Sequence, residues 1–419
     1  MSTLQATLAA RVRPAFPALA RTIAGHPVGY FDGPGGTQVP QRVAAAMSDY
    51  LLNHNANDGW AFRSSVETDR ALRHARAAAA AFVNAASPDE ILFGNNMTTL
   101  TFHLARAVGR MLEPGDELIV TDLDHHANID PWVALARDYG AVIKRVPLCD
   151  RQPVLDIAAY EALLGPRTRL VAIGLSSNAF GTINPVAQVA AAAHRAGALV
   201  FVDAVHAAAH APVDVAELGA DLLAFSAYKV YGPHVGVAYC RDALLDRLDF
   251  PRLAPQVPKG SRRAESGTLN HEGIAGTGAA LEFLAAASDS AGSLREQLVA
   301  TMSRLAREEA GAFTALVAGL RALPHVRLYE PPPGVPRHPT IAFTVAGRRA
   351  RDVSAQLSDE HALFVSHGNF YAATAVAKVA PEADADGGVV RAGLGIYTLE
   401  AEVERLIAAV AALAAGSKA

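Results

Sequence analysis

Lys229 lies in the stretch FSAYKVYGPHVG, straight after an apolar run and just ahead of a Gly-Pro turn. That position puts its amine at the carboxyl edge of the sheet to which the run belongs, where ligands of open α/β sheets bind. Asp203 closes an earlier apolar run, in ALVFVDAVHAAAH, with a carboxylate where a core pattern would keep an apolar side chain. An amine can condense with a carbonyl as a Schiff base, and a carboxylate beside it can keep a pyridine nitrogen protonated. A lone lysine here would ordinarily be a solvated loop residue, and a lone Asp a helix cap. Two such strand ends some two dozen residues apart point instead to pyridoxal 5'-phosphate (PLP) held on Lys229, with Asp203 sustaining the ring as an electron sink.

The elements that must carry this pair are legible in the hydrophobic pattern. From about Phe31 to Cys240, Ala-rich helical stretches alternate with short apolar runs: ILFG from 91, ELIVTD from 117, AVIKRVPL from 141, RLVAIGL from 169 and ALVFVDA from 198. This alternation predicts a mainly parallel sheet with helices on both faces. DLLAFSAYK from 221 and GVAYC from 236 read as two more strands, with GPH as their turn. After Gly273 long helical stretches lead to a small α+β unit built on VRLYEPP, PTIAFTV and VVRAGLGIY and closed by the helix EAEVERLIAAVAALAA. The first 28 residues read as an isolated helix that packs on this second unit. The expected division is a large α/β domain over 29–280 and a small α+β domain formed by 1–28 and 281–419.

The length suits two domains. With 51% hydrophobic and 19% charged residues, the composition is that of a globular enzyme. A net charge of −4 without basic clusters argues against nucleic acid as a partner. No long uncharged apolar run suggests a membrane span, and the opening MSTLQATLAARVRPAF has no secretory apolar stretch, so a cytoplasmic location is expected. Cys149 and Cys240 are the only cysteines, which excludes a disulfide framework, and no metal is expected.

Six segments, in order along nearly the whole chain, carry a likeness to a known family. They are DHHANIDPW from 124, SSNAFGTINPV from 176, VDAVHAAAHAPVDV from 202, FSAYKVYGPHVG from 225, ESGTLNHEGIAG from 265 and RAGLGIY from 391. The chain resembles the class V aminotransferases and, within them, the cysteine desulfurases of the sulfur-mobilisation type. The resemblance implies the fold type I of PLP-dependent transferases, with a mainly parallel seven-stranded sheet in the large domain. It implies that Lys229 forms the Schiff base, Asp203 faces the pyridine nitrogen and His125 stacks on the ring, His126 offering the same ring on a shifted alignment. Asn178 and His206 would lie near the phenolic oxygen, where the family usually has Asn and Gln. Met97, Thr98 and Ser226 would hold the phosphate at a helix start. Thr268 would reach the phosphate in the neighbouring subunit, making a homodimer with shared active sites. Arg391 would clamp the substrate carboxylate in bidentate fashion, a buried ion pair being the competing account. The segments FDGPGGTQ from 31 and NHNANDGWAFRSS from 53 would border the entrance, the latter from the partner.

Two departures bear on the reaction. A desulfurase needs a mobile loop thiolate to take the substrate sulfur as a persulfide, yet VSHGNFYAATAVAKVAPEADADGG, ahead of Arg391, has no cysteine. Tyr228 stands where the family commonly has His before the lysine. The remaining chemistry is proton removal by Lys229 from an amino acid, through a cofactor aldimine and quinonoid, followed by loss of a β-substituent. The leading expectation is therefore a β-eliminating C–S lyase on a cysteine-like substrate, with His367 and Asn369 as substrate contacts. An aminotransferase or amino-acid epimerase keeps the same proton removal. A PLP-holding partner protein without turnover is the alternative of another class.

Overall fold

The structure, a computed structural model, describes residues 7–256 and 259–413; the outermost tails of the expected second unit, 1–6 and 414–419, lie outside the described residues. A short strand, β1 (Gly29–Tyr30), precedes seven that form one sheet: β2 (Ile91–Gly94), β3 (Glu117–Thr121), β4 (Val142–Val146), β5 (Thr168–Gly174), β6 (Leu199–Asp203), β7 (Leu222–Ser226) and β8 (Gly236–Cys240). Their order is β2-β8-β7-β6-β5-β3-β4. β8 runs antiparallel to both its neighbours, and the other pairings are parallel. The apolar runs are nearly unbroken because both sheet faces are covered. Leu118 and Val120 of β3 pack into one buried cluster with Leu170, Phe201 and Trp132, while Ile119 faces the opposite cluster with Val171, Val202 and Phe225.

The helix α1 (Met97–Gly109) starts at the carboxyl edge of the sheet. Its N-cap is Asn96, whose side chain accepts from Thr99 N at 2.9 Å. Two further helices leave the sheet, α2 (His271–Ala286) and α3 (Leu294–Arg321). α2 has buried residues around most of its circumference, and Gly278 lies so close to Ala75 that a Cβ there would meet its Cα at 3.2 Å. α3 joins two cores: Leu298, Met302 and Leu305 pack with the large sheet, and Phe313, Leu316 and Leu320 with a C-terminal cluster.

That cluster covers an antiparallel sheet of β9 (Val326–Tyr329), β10 (Thr340–Val345), β12 (Ser366–Gly368) and β13 (Val389–Gly393), in the order β9-β10-β13-β12. A two-residue strand, β11 (Leu363–Phe364), pairs in parallel with β1, and Asp32 bridges to Gly393. The C-terminal helix, α4 (Glu400–Ala412), returns along α3.

Two expectations about local structure change. The N-terminal stretch is one short helix, Leu8–Val12, then two tight turns and a two-residue hairpin. Pro14 ends the helix because it lacks an N–H and fixes its own φ, and Pro17 opens the second turn. β7 stops at Ser226, and Lys229 sits on the 3-10 turn that follows, with its amine bonded to Pro34 O.

Candidate active site

β5, β6 and β7 end side by side, with Gly174 opposite Asp203 and Asp203 opposite Ala224. The loops leaving β3, β5 and β6 carry His125, Asn178 and His206, the turn after β7 carries Lys229, and α1 brings Met97 and Thr98. All of these line one chamber. Ser226, at the end of β7, accepts from Met97 N at 3.0 Å and so pins the first turn of α1 to the chamber wall. The positive end of that helix favours an anionic group such as a phosphate.

Lys229 is buried, and its Nζ donates to Pro34 O at 2.8 Å. Burial and the nearby Arg391 push its ammonium down to about 8, against the pull of Asp203 and Asp32. Asp203 is buried and raised to about 6, chiefly by desolvation, while Val205 N and Lys229 hold it back. Its Oδ1 accepts from Val205 N at 2.9 Å. Asp124, the first residue of the segment DHHANIDPW, proves to be a second buried acid of the chamber. It accepts from Gly174 N at 3.0 Å and from Asn128 Nδ2 at 2.8 Å, and burial together with Asp203 raises it to about 7.

His125 caps its own turn, its Nδ1 accepting from Ala127 N at 2.9 Å, and burial beside Lys229 pushes it down to about 3. The ring is therefore a neutral, flat surface at the chamber. His126 turns away to Asp130 and Thr374, which resolves the two-histidine ambiguity in favour of His125 as the chamber residue. His206 is buried with its Nε2 at 3.2 Å from Thr340 Oγ1. Asn178 donates to Phe370 O at 2.9 Å, while its buried Oδ1 and the buried Ser176 Oγ have no partner in the protein. Thr268 lies apart, exposed in a separate groove with Thr99 and Asn270.

An outer chamber shares His125, Asn178, Tyr228 and Lys229 with the first and adds Pro34, Gly35, His367, Asn369, Phe370, Tyr371 and Arg391. Arg391 is 3% exposed. Its Nη2 donates to Asp32 Oδ1 at 2.8 Å, Nη1 to Asn178 O at 3.0 Å and Nε to Ser366 Oγ at 3.2 Å, and Phe370 lies under the guanidinium at 4.0 Å. One N–H on each terminal nitrogen remains for a ligand. The ion pair with Asp32 and the chamber position thus coexist. Sequence reasoning missed Asp32, Phe370 and Tyr371; only the acid ahead of the Gly-Pro-Gly-Gly run could have flagged the first. Neither cysteine lines either chamber: Cys240 is buried and Cys149 half-buried, and burial raises both thiols. No cluster able to hold a metal ion, and no helix long and apolar enough to cross a membrane, occurs among the described residues.

This donor set fits PLP: a buried amine for its aldehyde, a buried acid for its ring nitrogen, unpartnered polar atoms on Ser176 and Asn178, and a helix start for its phosphate. Comparison with known proteins agrees. The profile of the class-V aminotransferases matches residues 29–406. A cysteine desulfurase of Pectobacterium atrosepticum is 33% identical over 413 residues, covering 95% of this chain and 96% of that protein. One from Klebsiella pneumoniae is 33% identical over 418 residues, covering 95% and 96%. Among solved structures, the apo cysteine desulfurase of Thermococcus onnurineus superimposes with a TM-score of 0.84 at 28% identity, over 96% of this chain and 98% of that one. One from Escherichia coli gives 0.82 at 27%, over 97% and 98%. The chain belongs to the class-V aminotransferase family, is similar throughout to cysteine desulfurases, and is a PLP-dependent enzyme.

Proposed function

We propose that the protein is a C–S lyase that cleaves cysteine or an S-substituted cysteine by β-elimination, with PLP attached to Lys229. The observation that carries this reading is a chamber onto which a buried lysine and a buried arginine open and which no cysteine lines. When bound, PLP supplies an electron sink that makes the α-proton of an amino acid labile. Asp203 would keep the ring nitrogen charged, His125 would offer its flat ring to the cofactor, and Asn178 and His206 would hold the oxygen substituent. Met97, Thr98 and Ser226 would hold the phosphate at the start of α1. Arg391 binds the substrate carboxylate through its two free N–H groups, and His367 and Asn369 border the side chain. Once the substrate amine has taken its place on the cofactor, the freed Lys229 amine, lowered to about 8, would be a base near neutral pH and would take the α-proton. The β-sulfur leaves as a thiol, and water releases a keto acid and ammonia. Sulfur therefore departs without a protein thiol.

The proposal includes a homodimer in the cytoplasm. Thr268 is exposed, and Leu52, Trp60 and Phe62 expose 78%, 63% and 56% of their surfaces, as expected for side chains awaiting a partner subunit. It also keeps the division into 29–280 and 1–28 with 281–419; the separate C-terminal cluster supports a second unit, whereas Leu8, Val12 and Phe16 pack into the cluster of the large sheet.

The test is a product assay on the PLP-loaded protein with cysteine and S-methylcysteine. Pyruvate in step with released sulfide or methanethiol is expected, and Lys229→Ala should abolish both turnover and the visible band of the attached cofactor. Alanine with persulfide would overturn the lyase reading in favour of desulfuration. Keto acid formed only with an amino acceptor, or loss of optical activity without net turnover, would replace it with transamination or epimerisation.

A further inference from the structure

Two adjacent aromatic residues of the outer chamber, Phe370 and Tyr371, both have φ at +56°, a left-handed region that bulky side chains avoid. The segment is held there by the site itself. Asn178 Nδ2 donates to Phe370 O at 2.9 Å and His126 N to Tyr371 O at 2.7 Å, while Ala372 N closes the turn onto Asn369 O at 2.8 Å. Backbone strain over-determined by neighbouring bonds is a mark of a functional segment. Its effect is to direct two rings: Phe370 lies under Arg391 at 4.0 Å, and Tyr371 lies 5.5 Å from the His125 ring at 33°. Tyr371 is nonetheless 74% exposed, with its apolar surface at the chamber mouth. A third ring, Tyr228, lines the same space and is braced from behind by His234, stacked at 4.9 Å.

Charge limits what the chamber accepts. The cations that reach it are Lys229 and Arg391, and Arg391 already pairs with Asp32 at 2.8 Å. No carboxylate lines it. With the α-amino and α-carboxylate groups of a substrate engaged as proposed above, a charged side chain would find no counter-ion, while a flat apolar one would meet aromatic faces. The outer chamber measures about 450 Å³, within the range that takes ring-bearing ligands.

The geometry points to Phe370 and Tyr371 as specificity-determining residues that select cysteine derivatives whose sulfur carries an aromatic or similarly flat apolar group. Tyr371 is the face on which that group rests, and Phe370 fixes the Arg391 guanidinium that anchors the other end. The choice of a sulfur substituent rests on the lyase reading, whereas the preference for a ring does not.

The experiment separates the two. S-benzyl-α-methylcysteine and S-methyl-α-methylcysteine have no α-proton and cannot turn over, so titrating each into the PLP-loaded protein, followed by the visible spectrum and by calorimetry, reads binding alone. The benzyl compound should bind about tenfold more tightly than the methyl one. Tyr371→Ala should bring the ratio close to one, and Tyr371→Phe should keep it. Equal affinities in the wild type, a ratio unchanged in Tyr371→Ala, or binding of neither compound would each overturn the proposal. Pyruvate release from S-benzylcysteine is measured beside it: selective binding without pyruvate would sink the lyase reading and leave this one standing.

Discussion

Replacing Asp203 by Asn should make the apoprotein more stable and the cofactor-loaded protein less so. Asp203 is buried and its carboxyl is raised from 3.8 to about 6. The folded state therefore keeps a proton that the unfolded chain releases near pH 4, and stability falls as pH climbs from about 4 to about 6. Above pH 7 that loss is complete and amounts to about 3 kcal/mol; at pH 5 it is about half as large. Asn retains an oxygen for the bond from Val205 N and has no charge to desolvate. Asp124, raised partly by Asp203, ionises more readily in the variant, which relieves a second penalty and makes this gain a lower bound. Urea unfolding of the two apoproteins at pH 5 and pH 7.5 measures the effect as a difference in midpoint. Adding PLP should reverse the order at pH 7.5, because only the carboxylate can pair with a charged ring nitrogen. A variant no more stable than wild type at pH 7.5, or a gain equal at both pH values, would refute the argument.

Arg391→Ala should raise KM for the amino acid about 100-fold through loss of two charge-assisted bonds, and Arg391→Lys should restore little, since an ammonium cannot present the paired N–H groups; steady-state kinetics decide, and an unchanged KM would mean that the Asp32 pair is purely structural. Cys149→Ser combined with Cys240→Ala should leave the rate per folded subunit unchanged, and a loss of turnover would return the reaction to protein-thiol chemistry.

The large sheet was legible because burial on both faces writes each strand as an unbroken apolar run, as in LVAI before Gly174. Lys229 and Asp203 were legible for the complementary reason: a polar side chain at the end of such a run has no packing role there. Asp124 is harder to read, because it earns its place only through bonds to Gly174 and Asn128 that local sequence does not express. Asp32 meets Arg391 across almost the whole chain. The left-handed Phe370 and Tyr371 have no local signal at all, since nothing in an aromatic pair announces positive φ; the conformation comes from Asn178 and His126 holding their carbonyls. The turn at Lys229 reads as strand because Ala227 and Tyr228 continue the apolar pattern past Ser226, the last strand residue.

The pairing of β1 with β11, and of Asp32 with Arg391, ties residues 29–32 to residues 363–391. During synthesis the strands from Ile91 to Cys240 emerge together and can assemble into the large sheet, as domains generally fold from the N-terminal side. The carboxylate-binding wall waits for Arg391, made some 150 residues after the strands of the large sheet. Assembly on the ribosome is therefore ordered, with the lysine side of the site first and the arginine side last. A nonsense mutation shortly before codon 391 would leave the large sheet intact in sequence and its reactive amine in an open groove, able to capture aldehydes but unable to orient an amino acid.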